Sequence, residues 1–177
     1  MRGTHIATAA TLGLVLVGAS AATAGSGDDD ETKTKLKGYA EVPAISTTGN
    51  GRFEAELDDD EITYELKYRD LTAPVLQSHI HFGQFSVNGG ISVFLCSNLG
   101  NGPAGTPTCP GPFEGRVTGV LTAEDVIGPT GQGIAPGELD ELLDAIDAGV
   151  AYVNVHTELF TSGEIRGQLD EDDDDDD

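Results

Sequence analysis

Three histidines have a spacing that could support chemistry. His79 and His81 are two residues apart, and side chains two apart on a β-strand point to the same face. His156 ends a second alternating run, in which Tyr152, Asn154 and His156 share a face. If the two strands lie side by side, the three imidazoles converge. Three neutral imidazoles suit copper or zinc, and they leave one coordination position open.

The same alternation supports a second interpretation without a metal. Ile80 alternates with the two histidines, so this strand is predicted to have one dry face and one wet face. The histidines would then belong to a polar stripe with Gln77, Tyr152 and Asn154 and would hydrogen-bond across strands. Both interpretations predict the same supporting polar face.

Two charged residues extend that face near the end of the chain. Glu164 and Arg166 are two residues apart on a predicted closing strand and share a face with Gln168. In one interpretation they form a cross-strand ion pair on a solvated surface. In the other, Arg166 holds the histidine strand through its backbone, or binds an anionic ligand.

The histidine strand, the run 152–157 and the closing segment 163–169 together resemble the CHRD domain, named after chordin. The resemblance extends from about Leu36 to Leu169. It implies a β fold in an extracellular compartment, because the animal domain occurs in repeats within an extracellular binder of bone morphogenetic proteins. It also implies non-enzymatic binding of an extracellular protein or envelope component.

The pair His79 and His81 is also similar to the copper strand of copper/zinc superoxide dismutases. That similarity implies a copper redox enzyme as an alternative function. The sequence, however, lacks a convincing bridging histidine, a fourth copper ligand and a clustered zinc set, and it contains no Gly-x-Ser-x-Gly elbow. We therefore assign no catalytic residue. A metal-free envelope or adhesion module is the third alternative.

The elements that must position these residues are short strands. Alternating runs are separated by polar or Gly/Pro-rich connections, and residues 52–57 and 62–68 are close enough to form a hairpin. The apolar spacing of residues 138–148 predicts a helix, and 122–126 a single helical turn. The predicted strands cover residues 33–40, 52–57, 62–68, 77–83, 91–95, 113–121, 150–157 and 163–169. The expected fold is mainly β, an antiparallel β-sandwich or Greek-key barrel with one or two short helices in connections.

Two cysteines, Cys96 and Cys109, flank a Gly/Pro-rich loop. In an exported protein an even cysteine count favours a disulfide bond. Closing a loop of this length would stabilise the fold by about 3 kcal/mol. A pair of thiolate metal ligands is the alternative.

The two ends of the chain differ from its centre in composition. Residues 1–24 resemble an export signal, with Arg2, an apolar stretch and an Ala-x-Ala ending at Ala24. A retained membrane anchor is the alternative, but the apolar stretch is shorter than the roughly 20 residues that span a bilayer. We predict an acidic linker at 25–32, the domain at 33–170 and a disordered acidic tail at 171–177.

The charge balance limits the classes of partner. The chain has 31 acidic and 9 basic residues, a net charge of −22. Such an excess repels itself unless counterions screen it, which favours life in concentrated salt. No basic patch is evident in the sequence, so nucleic acid is not expected as a partner. The acidic runs do not follow the spacing of an EF-hand calcium loop.

Overall fold

Alternation along the third strand shows how the sheet packs. In Glu61–Arg69, Ile62, Tyr64, Leu66 and Tyr68 are buried, whereas the residues between them are half-buried or exposed. One face of the strand therefore contributes to the core and the other faces solvent, as the sequence predicts.

The computed structural model describes residues 30–169, and the eight strands in this range belong to one sheet. Neighbouring strands pair in antiparallel fashion throughout. The strands are β1 Asp30–Lys37, β2 Asn50–Leu57, β3 Glu61–Arg69, β4 Val75–Phe82, β5 Gly90–Ser97, β6 Gly115–Thr122, β7 Ala151–Thr157 and β8 Ile165–Leu169. One helix, α1 Leu139–Asp147, and three short 3-10 turns complete the described part.

The sheet curls into a nearly closed barrel. Its strand order is β5-β4-β7-β8-β1-β2-β3-β6, so β5 and β6 form the two edges. Tyr64 Oη on β3 donates a hydrogen bond to the carbonyl of Leu95 on β5 at 2.7 Å, which links the two ends of the sheet. The predicted mainly β, antiparallel class is confirmed.

The two histidine strands are neighbours in this sheet. β4 pairs with β7, with His79 opposite Asn154, His81 opposite Tyr152 and Gln77 opposite His156. On its other side, β4 pairs with β5, and the register shifts next to each of the two histidines. The predicted adjacency of the two strands is therefore confirmed.

The loop after β5 is closed by a covalent bond. Cys96 and Cys109 form a disulfide, which confirms that prediction and leaves no thiolate pair for a metal. The predicted helix is also present, and its side chains Leu142 and Ile146 are buried in the core. The predicted export signal and acidic tail lie outside the described residues. Within 30–169, no helix has the length and apolar character needed to cross a membrane.

Candidate metal centre

The three predicted ligands meet on one face of β4 and β7. His79, His81 and His156 each offer a ring nitrogen, and these three atoms lie within 4.8 Å of one another. The closest pair is His79 Nδ1 and His156 Nε2, 3.1 Å apart. Two ligands on a tetrahedral ion with bonds of about 2.0–2.1 Å are separated by roughly 3.3 Å. The pair is therefore already close to ligand spacing.

Backbone carbonyls fix the protonation pattern of two rings. His81 Nδ1 lies 3.0 Å from the carbonyl oxygen of Gly89, and His156 Nδ1 lies 3.0 Å from that of Thr161. A carbonyl only accepts, so each Nδ1 must carry the hydrogen and each Nε2 keeps a lone pair. This is the arrangement usual for metal-binding histidines.

Unpaired ring nitrogens are a second feature of the histidine cluster that suits metal binding. Within residues 30–169, the buried Nε2 atoms of His79 and His81 make no hydrogen bond. Buried polar atoms are normally paired, because an unpaired one loses its hydration without compensation. The three-histidine set therefore fits an ion such as copper or zinc, for which imidazole is a suitable ligand.

The predicted wet face is wrong. His79, His81 and His156 are 0%, 7% and 6% exposed. Burial lowers the pKa of His79 to about 2 and that of His81 to about 4, and it also lowers the pKa of His156. All three rings are consequently neutral at pH 7, which is the form that coordinates metals.

Tyr152 supports the site from β7. Its ring stacks parallel to His81, with centroids 4.7 Å apart, and the Arg166 guanidinium lies 3.4 Å from its centroid. β4 and β8 flank β7 on opposite sides, so Tyr152 lies between the imidazole and the cation. Its hydroxyl also accepts a hydrogen bond from the backbone of Gly89 at 3.2 Å.

Arg166 fastens the loop that follows the histidine strand. The side chain is only 1% exposed, and it donates to the carbonyls of Val87 at 3.0 Å and Gln84 at 3.1 Å. His81 holds the same loop at Gly89. Of the two predicted roles, attachment to the backbone near the histidine strand is the one observed.

Glu164 does not belong to the histidine face, and the predicted ion pair with Arg166 is wrong. The residue is fully buried, and its carboxylate accepts hydrogen bonds from Thr47 Oγ1 at 2.6 Å, the Thr72 amide at 2.8 Å and Thr157 Oγ1 at 2.8 Å. β8 begins only at the next residue, so strand alternation does not extend to Glu164.

Glu41 is a buried acid near the site that sequence reasoning missed. It is 6% exposed, and its Oε1 has no hydrogen-bond partner in the described part of the chain. Burial raises its pKa to about 7, against the opposing effect of the Arg166 charge. A Cβ at Gly163 would collide with this carboxylate, so the close approach requires glycine there. Glu41 had no flanking pattern that could have marked it.

The remaining predicted face residues are positioned differently. Asn154 is 2% exposed and lies opposite His79 on one side and Arg166 on the other. Gln77 is half-buried and accepts a hydrogen bond from Asn101 at 3.0 Å, so it belongs to the edge of the site.

Comparison with protein families places this arrangement in a known group. The family model described as the CHRD domain matches residues 32–169. The chain belongs to the CHRD family. The matched span of this CHRD domain contains the three histidines, Arg166 and the disulfide. No curated protein and no solved structure matches the chain in the corresponding comparisons.

Proposed function

We propose that this CHRD domain is a non-enzymatic binding protein, located outside the cell or at its surface, that holds one copper or zinc ion. His79, His81 and His156 are the ligands. The observation that carries the proposal is the convergence of three neutral, buried imidazoles, two of which have Nε2 set as the nitrogen without a hydrogen by backbone carbonyls.

The binding role follows from family membership and from the burial of the site. Each ring is covered by a different segment. His81 bonds to Gly89 of the Gly83–Gly89 loop, which Arg166 also holds, whereas His156 lies against Thr161 and His79 packs on Phe94. Such a covered site suits an ion that stabilises a binding surface better than one that turns over a substrate. The disulfide favours an oxidising compartment, where the partner would be an extracellular protein or an envelope component.

Metal titration of the untagged protein tests the ligand set. Purified chain is titrated with Zn(II) by calorimetry and with Cu(II) by electron paramagnetic resonance. We compare the wild type with His81→Ala and with Gln77→Ala, a control on the same strand and face. We expect one ion per chain, nitrogen hyperfine coupling for copper, and at least about tenfold weaker binding for His81→Ala, since one ligand is removed.

Three results would reject the metal site. These are equal weak uptake by wild type and His81→Ala, more than one equivalent bound without nitrogen coupling, or equal losses in His81→Ala and Gln77→Ala. Superoxide consumption by the copper-loaded chain, measured against free copper, separates a binding protein from a redox enzyme. Capture of the same envelope component with and without chelator would instead favour a metal-free adhesion module.

A further inference from the structure

The outer face of the sheet carries a row of cations in register. Lys35 on β1 lies opposite Arg52 on β2, Arg52 lies opposite Lys67 on β3, and Lys67 lies opposite Arg116 on β6. Like charges directly opposite on neighbouring strands are unfavourable. A row of four such residues therefore favours the approach of anions.

A surface groove of about 360 Å³ runs beside this row. The next row along the strands contains Lys37, Asn50 and Arg69, so the groove lies between two sets of cations. No acidic residue lines it. Its lining is Lys35, Leu36, Lys37, Asn50, Gly51, Arg52, Lys67, Tyr68 and Arg69.

Carboxylates contact three cations of the row from the side opposite to the groove. Glu54 pairs with Arg52 at 2.7 Å, and Glu65 contacts both Lys67 and Arg116. Glu54 follows Arg52 by two residues and Glu65 precedes Lys67 by two, and because β2 and β3 are antiparallel both acids lie on the side of the row away from Asn50. These cations are about half exposed or more, so the pairs are solvent-screened and exchangeable.

The groove differs in charge from most of the described surface. Residues 32–170 contain 20 acidic and 8 basic residues. Apart from the buried Arg166, every cation of the described part lies on β1, β2, β3 or β6 and is exposed. An anionic segment is therefore repelled by most of the surface and attracted to this one region.

The chain itself supplies such a segment. Residues 170–177 are eight consecutive acids. They follow β8, which pairs with β1 at Arg166 and Lys37, and a Cβ at Gly167 would lie 2.9 Å from the carbonyl of Lys35. Eight extended residues reach up to about 27 Å, and β3 is three strand spacings, roughly 14 Å, from β8. The segment is long enough to cross the groove.

We propose that the acidic segment 170–177 docks in the cation groove between the Lys35 row and the Lys37 row. Docking relieves the repulsion within the row and shields the region of 30–169 where the exposed cations are gathered. Because the attraction is between exposed charges, it weakens as the screening length falls from about 10 Å at 0.1 M salt to about 3 Å at 1 M. Docking of the segment should therefore be extensive in dilute solution and weak in concentrated salt.

Carbodiimide cross-linking of the full chain, followed by peptide mass spectrometry, tests the proposal. The reagent joins carboxylates to lysines in direct contact. In low salt we expect links from 170–177 to Lys37 and Lys67, which decrease at least fivefold in 1 M NaCl. Simple tethering would instead favour Lys33, which lies beside the end of β8 but outside the groove. Links confined to Lys33, or links unchanged by salt, would overturn the proposal.

An isotope experiment and a charge variant make the test specific to this groove and to one chain. In a mixture of ¹⁴N and ¹⁵N chains, links of mixed isotope would show docking between copies and overturn docking within one chain. Arg52→Ser/Arg69→Ser removes groove charge without removing a cross-linking lysine, and the link to Lys67 should fall severalfold. Unchanged linkage at Lys67 in this variant, with an unchanged melting temperature, would also overturn the proposal.

Discussion

Replacing Arg166 by lysine tests whether this side chain anchors the loop between β4 and β5 or contributes only its charge. Arg166 donates to two carbonyls, of Val87 and Gln84, and its guanidinium stacks on Tyr152. Lysine keeps the charge but offers one compact head group without a planar fork. We expect one charge-assisted hydrogen bond, of about 1.5–3 kcal/mol, and the stacking, of about 1 kcal/mol, to be lost.

The total loss is about 3 kcal/mol in the free energy of unfolding. For a domain of this size, 1 kcal/mol lowers the melting temperature by about 4 °C, so the variant should melt roughly 12 °C below the wild type. Circular dichroism melts at pH 7 measure this directly. Hydrogen exchange should show faster opening of amides in the loop between β4 and β5, because that loop loses its anchor.

Arg116→Lys is the matched control. Arg116 is 65% exposed and pairs with Glu65 on the sheet surface, where such pairs contribute about 0–1 kcal/mol. Its melting temperature should fall by no more than about 4 °C. Equal shifts for the two variants, or a loop whose exchange is unchanged in Arg166→Lys, would refute the clamp.

Two other substitutions test the buried ionisable groups. The His81 pKa is lowered from 6.5 to about 4, so its contribution to stability is complete above pH 6.5 and is lost as pH falls toward 4. The Glu41 pKa is raised from 4.5 to about 7, so its contribution has the opposite sign and grows as pH falls from 7 to 4.5. Each displacement corresponds to roughly 3 kcal/mol. Glu41→Gln should therefore lose stability more steeply than wild type between pH 7 and 5 in urea unfolding, and parallel pH profiles would contradict this. Glu164→Gln should cost about 2–3 kcal/mol because its buried carboxylate accepts from four donors. Glu65→Gln should cost less than about 1 kcal/mol, because Glu65 pairs with the exposed cations Lys67 and Arg116. Similar urea midpoints for these two variants would exclude the buried network as a source of stability.

The fold was predictable where side chains follow a period of two. Ile62–Tyr68 alternates cleanly, and its strand and faces agree with the structure. The run before His156 forms the predicted strand, but that strand is buried on both faces. These features are local, and local sequence is sufficient for them. The adjacency of β4 and β7 is not local. It was a hypothesis that would bring the three histidines together, and the pairing of the two strands confirms it.

Features that depend on distant segments were not predictable in this way. The histidine face is buried by contacts with Gly89, Phe94 and Thr161, which lie outside β4, and alternation in β4 contains no information about them. Gly115 and Gly119 on β6 also depend on distant segments. A Cβ at Gly115 would lie 2.4 Å from the carbonyl of Pro110, and one at Gly119 would lie 2.8 Å from the ring of Tyr64. The register shifts of the sheet lie in the β4–β5 pairing.

The hydrogen-bonded pair His79 and His156 also sets the proton balance of any ion that enters. The rings are neutral at pH 7, and a tautomer change at His79 moves a hydrogen from one nitrogen to the other without releasing it. Loading would transfer no protons from these ligands to the buffer, unlike loading of cysteine thiols or of histidines that are charged beforehand. Loading of the weakly buffered protein at pH 7 should therefore leave the pH of the solution almost unchanged.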